Sequence, residues 1–300
     1  MDTLESLPAS PSPAVTDAQA ARIVAEIGIP PCPAVLTAML RESRKDDPDF
    51  ASIGTLIASD LGLAAALLKT VNSPFFGLVT RATSVQQALT FLGLRNVVRL
   101  VTGLLLKQAF PVSRGEEVSQ HWEASSRFAA GTARLARELR CADRDEAYTF
   151  GLFRDCGMLL LSGKYADYAG LLRESGFSHG DALARTERER YVTDHARVGF
   201  HMATNWFLAE ELALAVRHHH DRAFLATVSD GPVRRAQALV ALGMLIDAML
   251  AANASGSAAR LDSAALEPAL ERLGISVDHA ESLAGGVIEA CAAHDAERQS

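Results

Sequence analysis

Apolar residues in this chain recur at helical spacing almost from end to end, which restricts the fold more than any other feature. In LRNVVRLVTGLLLKQAF, the residues Leu94, Val97, Val98, Val101, Leu104 and Leu105 fall at i, i+3, i+4, i+7, i+10 and i+11. In LGLAAALLKTV, Leu61, Ala64, Leu68 and Val71 follow the same rule. Residues suited to helix starts stand where the periodic runs begin: Asp49 before FASIGTLI, Ser84 before VQQAL, and Thr193 before DHARVGFHM. Stops are as regular, as in SPFFG at 73–77 and LGL at 92–94. No segment alternates with period two between hairpin turns. The expected fold class is all-α.

Hydrophobic residues make up 49% of the 300, enough to bury a sizeable core and to exclude wholesale disorder. The formal net charge of −7 and the lack of a Lys/Arg cluster argue against nucleic acid or anionic lipid as partners. Four dispersed cysteines form no CxxC pair and read as reduced structural thiols. The N-terminus is Pro/Ser-rich without a signal-peptide pattern, and no run approaches the ~18 uninterrupted apolar residues of a transmembrane helix. The expectation is a cytoplasmic protein with no membrane partner.

Residues 1–18 read as a flexible tail. The charged, turn-prone stretch PVSRGEEVSQ (111–120) separates a smaller helical bundle (19–112) from a larger one (118–225). A second loosening at AANASGSAARLDS (251–263) interrupts a helical extension over 226–290, followed by a short tail (291–300). No repeat at solenoid periods is visible.

Two stretches carry chemistry. In GLFRDCGMLLL (151–161), Arg154 and Asp155 interrupt a nearly continuous apolar run. At about 100° per residue along one helix, Arg154 falls among Ala147, Phe150, Met158 and Leu161, and Asp155 among Tyr148, Leu152 and Leu159. Both lie on apolar flanks, where an unpaired charge costs several kcal/mol, roughly, so each needs a partner. In AVRHHHD (215–221), the same arithmetic puts His219 at the centre of an inward stripe, with His218 and His220 diverging to either side. His195 shares a stripe with Val198, Gly199, Met202 and Trp206. An inward histidine is more often a satisfied core residue than a ligand. At the end of its helix, His218 is better read as a favourable cation. Asn72 and Ser73 read as helix termination before Pro74, and Phe75-Phe76 as core between the two bundles.

Taken together, these segments resemble the HDOD (HD-related output domain) family, a degenerate relative of the HD-type metal-dependent phosphohydrolases. The resemblance spans roughly residues 22–225. It rests on IPPCPAVL (29–36), ASDLGLAAALLKTVNSPFFG (58–77), SVQQALTFLGLRNVVRLV (84–101), HWEASSRFAAGTARLA, AYTFGLFRDCGMLLL, HARVGFHMATNWFL and AVRHHHD, in that order. It implies a smaller N-terminal helical bundle packed on a larger HD-like one, with Asn72, Ser73 and Gly93 in structural or interaction motifs.

In active HD hydrolases, histidines and a His-Asp pair hold one or two metals that activate water. Carried onto this chain, the first His position is Ala124, and the His of the pair is Arg154. Asp155, His195, His219 and His220 match ligand positions. A guanidinium stays protonated and cannot ligate a metal. The resemblance therefore implies a degenerate site at Ala124, Arg154, Asp155, His195, His219 and His220, with no metal, no cofactor and no hydrolysis expected. Arg154 is expected to neutralise Asp155 or another buried carboxylate. The expected function is a bacterial signalling module acting by protein–protein contact in trans with a diguanylate cyclase, kinase or response regulator, in pathways such as c-di-GMP signalling. The alternatives are a residual phosphodiesterase or a nucleotide or small-molecule sensor.

Overall fold

A computed structural model describes residues 22, 25–73, 76–110, 116–175, 181–254 and 260–299, and no strand occurs among them. The fold is all-α, as the periodicity requires. The N-terminal block includes α1 (Ala34–Ser43), α2 (Phe50–Ala58), α3 (Leu61–Val71), α4 (Val85–Leu92) and α5 (Leu94–Ala109) among the described residues. The next block holds α6 (Glu116–Leu139), α7 (Arg144–Phe153), α8 (Cys156–Lys164), α9 (Tyr168–Glu174), α10 (Asp181–Tyr191), α11 (His195–Asn205), α12 (Glu210–His218) and α13 (Arg222–Ala226). Three more follow: α14 (Gly231–Ala254), α15 (Ser263–Leu273) and α16 (Val277–Gln299).

Helix starts follow the polar residues that precede them. The Asp49 carboxylate accepts from the amides of Ala51 and Ser52, and the Ser84 hydroxyl from that of Gln87. At α11 the cap is Asp194, which accepts from Arg197 N, and not Thr193 as expected; Thr193 is wholly buried one residue earlier. Gly93 separates α4 from α5 with φ 78° and ψ 160°, a conformation that a side chain would strain.

Asn72 does more than end α3. Its side chain accepts from Ala82 N and donates to Ala82 O, both at 2.8 Å, which ties the loop back to the helix. Ala82 is buried, so losing both bonds leaves polar backbone groups unpaired. Asn72→Ala is expected to cost about 1–3 kcal/mol. It should also speed hydrogen exchange at the Ala82 amide, whereas unchanged protection would contradict the clamp. Phe76 packs against the core with the Arg144 guanidinium 5.4 Å over its ring, so it lies between the blocks. Pro74, Phe75, the N-terminal tail and residues 111–115 fall outside the described residues.

Core packing joins all three segments. Helix α5 packs on α1 and on α7, linking the N-terminal block to the rest. Helices α6 and α7 lie together, α16 runs along α6, and α14 packs against α12, α6 and α7. The segment after residue 225 is thus built onto the larger block. Its last helix continues to Gln299, beyond the boundary at 290, with Cys291 buried against Arg127 O. Helix α14 carries an 18-residue window of mean hydropathy 1.5, and 56% of that window is buried inside the fold. This is how the core helix of a globular domain reads.

Candidate functional site

Arg154 and Asp155 do not lie within one continuous helix. Helix α7 ends at Phe153 and α8 begins at Cys156, with the charged pair in the turn between them. On one helix their side chains would diverge by about 100°. The break lets them converge: Arg154 Nε donates to Asp155 Oδ2 at 3.0 Å, and Nη2 forms an ion pair with the same oxygen at 2.9 Å. Burial is as expected, with Arg154 2% and Asp155 6% exposed.

A second carboxylate completes the pair. Arg154 Nη1 donates to both oxygens of Asp247 on α14, at 2.9 and 2.8 Å, and the guanidinium lies 3.7 Å over the Phe128 ring. Burial pulls the Arg154 pKa down, but Asp155 and Asp247 more than reverse it, so the group stays charged. The expectation that Arg154 neutralises a buried carboxylate is met with two carboxylates. Ala124 lies on α6 one turn before Phe128, so this face of α6 presents a methyl group and then a ring, with no donor at either position.

Asp155 turns its other oxygen toward three imidazoles. Oδ1 lies 3.3 Å from His219 Nε2 and 3.6 Å from His195 Nε2. His195 Nε2 is 3.2 Å from His219 Nε2 and 2.9 Å from His220 Nε2. All four donor atoms lie within 4.8 Å of one another. His219 faces inward as the helix phase requires. His220 does not diverge, because α12 stops at His218 and the following turn swings its ring into the cluster. His218 stays at the helix end, bonded to Asp221 Oδ2 at 3.2 Å and stacked on Phe224.

The surroundings set two of the imidazole tautomers. His219 Nδ1 lies 2.7 Å from Val216 O, a group that only accepts, so Nδ1 carries the proton. His195 Nδ1 donates to Glu187 Oε2 at 2.7 Å, and the same oxygen accepts from His195 N at 2.9 Å. Glu187 is fully buried on α10 and also accepts from the Tyr168 hydroxyl. Burial pushes the Tyr168 hydroxyl well above its usual pKa, and the adjacent Glu187 pushes it further. Burial lowers His219 and His220; it is also the largest single effect at His195, but Glu187, Asp155 and Asp194 together outweigh it there and raise the pKa.

In the neutral state, then, His195 and His219 aim two Nε2 lone pairs at each other across 3.2 Å. Lone pairs so placed repel unless a proton or a metal cation lies between them. Three imidazole nitrogens and a carboxylate oxygen, with outward Nδ1–H bonds to a carboxylate and a carbonyl, are the donors and outer partners of a late first-row divalent ion. The four surviving positions fit one metal. Arg154 and Ala124 supply nothing for a second.

The family profile of the HDOD domain matches residues 29–222, most of the chain and all four donors. The chain belongs to the HDOD family. Solved HDOD-like structures share the fold over nearly its whole length. An HDOD domain protein of unknown function from Geobacter sulfurreducens is 21% identical, with 93% of this chain and 98% of that one aligned at a TM-score of 0.66. A candidate phosphohydrolase from Shewanella amazonensis is 17% identical at 0.70, covering 93% and 98%. A candidate signal transduction protein from Marinobacter aquaeolei is 20% identical at 0.68, covering 90% of this chain and 59% of that one. At such identities the likeness speaks for the fold. An uncharacterised protein of Treponema pallidum is 27% identical over 196 residues, which are 64% of this chain and 38% of that longer protein.

Glu187, Tyr168, Asp247 and Phe128 are site residues that sequence reasoning missed. Two of them had a signal. Glu187 shares a helical stripe with Leu183, Ala184 and Tyr191, all buried. Asp247 is the lone charge within the apolar run VALGMLIDAML.

Proposed function

We propose that this HDOD protein is a non-hydrolytic regulatory module of bacterial signal transduction that works by protein–protein contact in the cytoplasm. The observation that carries this reading is Arg154. It stands where the HD pattern has a metal-binding histidine, and it is clamped by a hydrogen bond and an ion-pair contact to Asp155 Oδ2 and by two hydrogen bonds to Asp247. A permanently charged guanidinium there opposes a second divalent ion, and the metal-activated water of an HD-type reaction needs an open coordination position. With two of the pattern's ligands replaced, the remaining set suits holding better than turnover.

The partners that fit are signalling enzymes supplied in trans: a nucleotide cyclase such as a diguanylate cyclase, a kinase or a response regulator. A solved structure of the same fold bears the name of a candidate signal transduction protein, which supports the signalling role. The second reading, a mononuclear phosphohydrolase, is favoured by the convergence of Asp155, His195, His219 and His220. In-cell crosslinking of the full chain separates the two when paired with a phosphodiesterase assay. The regulatory reading expects a cyclase, kinase or receiver protein among the crosslinked partners and no turnover. Turnover of a cyclic dinucleotide with no such partner would establish the enzyme.

A further inference from the structure

The geometry points to a closed centre for a single zinc-class divalent cation, held by Asp155 Oδ1 and the Nε2 atoms of His195, His219 and His220. Arg154 serves in it as a fixed internal charge where a second cation would otherwise sit. This deepens the non-hydrolytic reading of the same site, and only its closed coordination rests on that reading.

Three observations carry it. First, the donors converge from three separate parts of the chain: the α7–α8 turn, the start of α11 and the end of α12. Second, both tautomers that can be assigned direct Nε2 lone pairs inward, at 3.2 Å from each other, and a cation turns that repulsion into ligation. Third, the outer partners are built for the purpose. Glu187, fully buried, is held by Tyr168 and by the His195 amide, and it orients the His195 ring as carboxylates orient metal-bound histidines.

Arg154 explains why one ion suffices. Its three nitrogens are spent on Asp155 Oδ2 and on Asp247, which leaves Asp155 Oδ1 to face the Nε2 atoms of His195 and His219. Four protein ligands with three nitrogens match zinc better than the oxygen-rich, six-coordinate shells of magnesium or calcium. Four protein ligands also complete a zinc shell, leaving no position for water.

The test uses purified full-length protein stripped of metal, then titrated with zinc alone or with cobalt as a spectroscopic stand-in. The expected result is one zinc per chain, and intense visible cobalt bands of a four-coordinate, nitrogen-rich site in wild type. Zinc should raise the melting temperature progressively with its concentration. Glu187→Gln should weaken zinc by roughly 10–100-fold through loss of the carboxylate behind His195. His218→Ala, whose ring points to Asp221 and Phe224, should bind as wild type. The proposal is overturned by sub-stoichiometric zinc, by binding that survives His219→Ala, or by a weak six-coordinate cobalt spectrum. The wild-type spectrum decides even where a variant fails to fold. Absent binding would sink this centre and leave the regulatory reading standing, whereas phosphodiester turnover by the loaded protein would sink the regulatory reading itself.

Discussion

Arg154→Ala should lower the stability of the fold by about 3–5 kcal/mol, measured by urea denaturation in the presence of a chelator. The guanidinium is 2% exposed, makes three hydrogen bonds to two carboxylates and a further ion-pair contact to one of them, and covers the Phe128 ring. Removing it opens a cavity and leaves Asp155 as a buried charge without its counter-ion. The carboxylates are not equal in this. Asp247 has a side chain 38% exposed and can be rehydrated, whereas that of Asp155 is 9% exposed and cannot. Most of the loss therefore belongs to Asp155. A second pair of variants isolates that contribution. Arg154→Met keeps much of the volume and should still be strongly destabilised, and adding Asp155→Asn should recover part of the loss because the orphaned charge is gone. Loss of less than about 1 kcal/mol in Arg154→Ala would put it in the range of exposed pairs and contradict the clamp.

Gly157→Ala should be comparably damaging for a different reason. A Cβ at this position would lie 2.0 Å from His195 O, 2.8 Å from His195 C and 2.9 Å from Gly199 N. All three are backbone atoms, so no side chain can rotate away and α8 must move off α11. The cost should reach or exceed the ~1–3 kcal/mol of ordinary overpacking. The displacement also carries His195 away from His219 and His220, so metal affinity should fall together with stability. Gly163→Ala is the control within the same helix. Nothing lies within 4 Å of its added Cβ, and the exchange should be neutral or slightly stabilising, by up to ~1 kcal/mol. Equal behaviour of the two variants in a thermal melt would show that the close approach of α8 and α11 carries no weight.

These two positions mark what was legible in the sequence and what was not. The helices were, because apolar residues at helical spacing and Asp or Ser caps are local signals, and tertiary packing here agrees with them. The burial of Arg154, Asp155, His195 and His219 was legible for the same reason: phase along a helix is set by its own residues. The break between α7 and α8 was not. Neither Gly151 nor Gly157 ends a helix by itself, and each serves instead as a point of close approach, to Ala129 on α6 and to His195 on α11. Such contacts join segments far apart in the chain, and no local pattern encodes them. With the break unseen, the convergence of Arg154 on Asp155 could be inferred only from the need to pair a buried charge. The inward swing of His220 has the same origin, since its ring is placed by the turn after α12 and not by helix phase.

Glu187 is instructive in another way. The segment ARTERERYV reads as a solvated, salt-bridged surface, and Arg188 and Arg190 do pair with Asp194 and Asp167 there. One carboxylate of that run instead falls on the buried stripe with Leu183, Ala184 and Tyr191, where it holds His195. Its position is legible from helix phase, since Glu187 stands four residues after Leu183, three after Ala184 and four before Tyr191. Asp247 needed only the question asked of Arg154: why one charge stands in an apolar run.

The measurement that bears most directly on the loss of hydrolysis is phosphodiester turnover by the metal-loaded protein. Full-length wild type and Asp155→Ala would be loaded with zinc, manganese or ferrous iron and supplied with bis(p-nitrophenyl) phosphate and with a cyclic dinucleotide. If Arg154 has closed this site to catalysis, the two proteins should show the same background rate with every metal. Metal-dependent turnover by wild type that disappears in Asp155→Ala would contradict that outright and make this HDOD protein an enzyme.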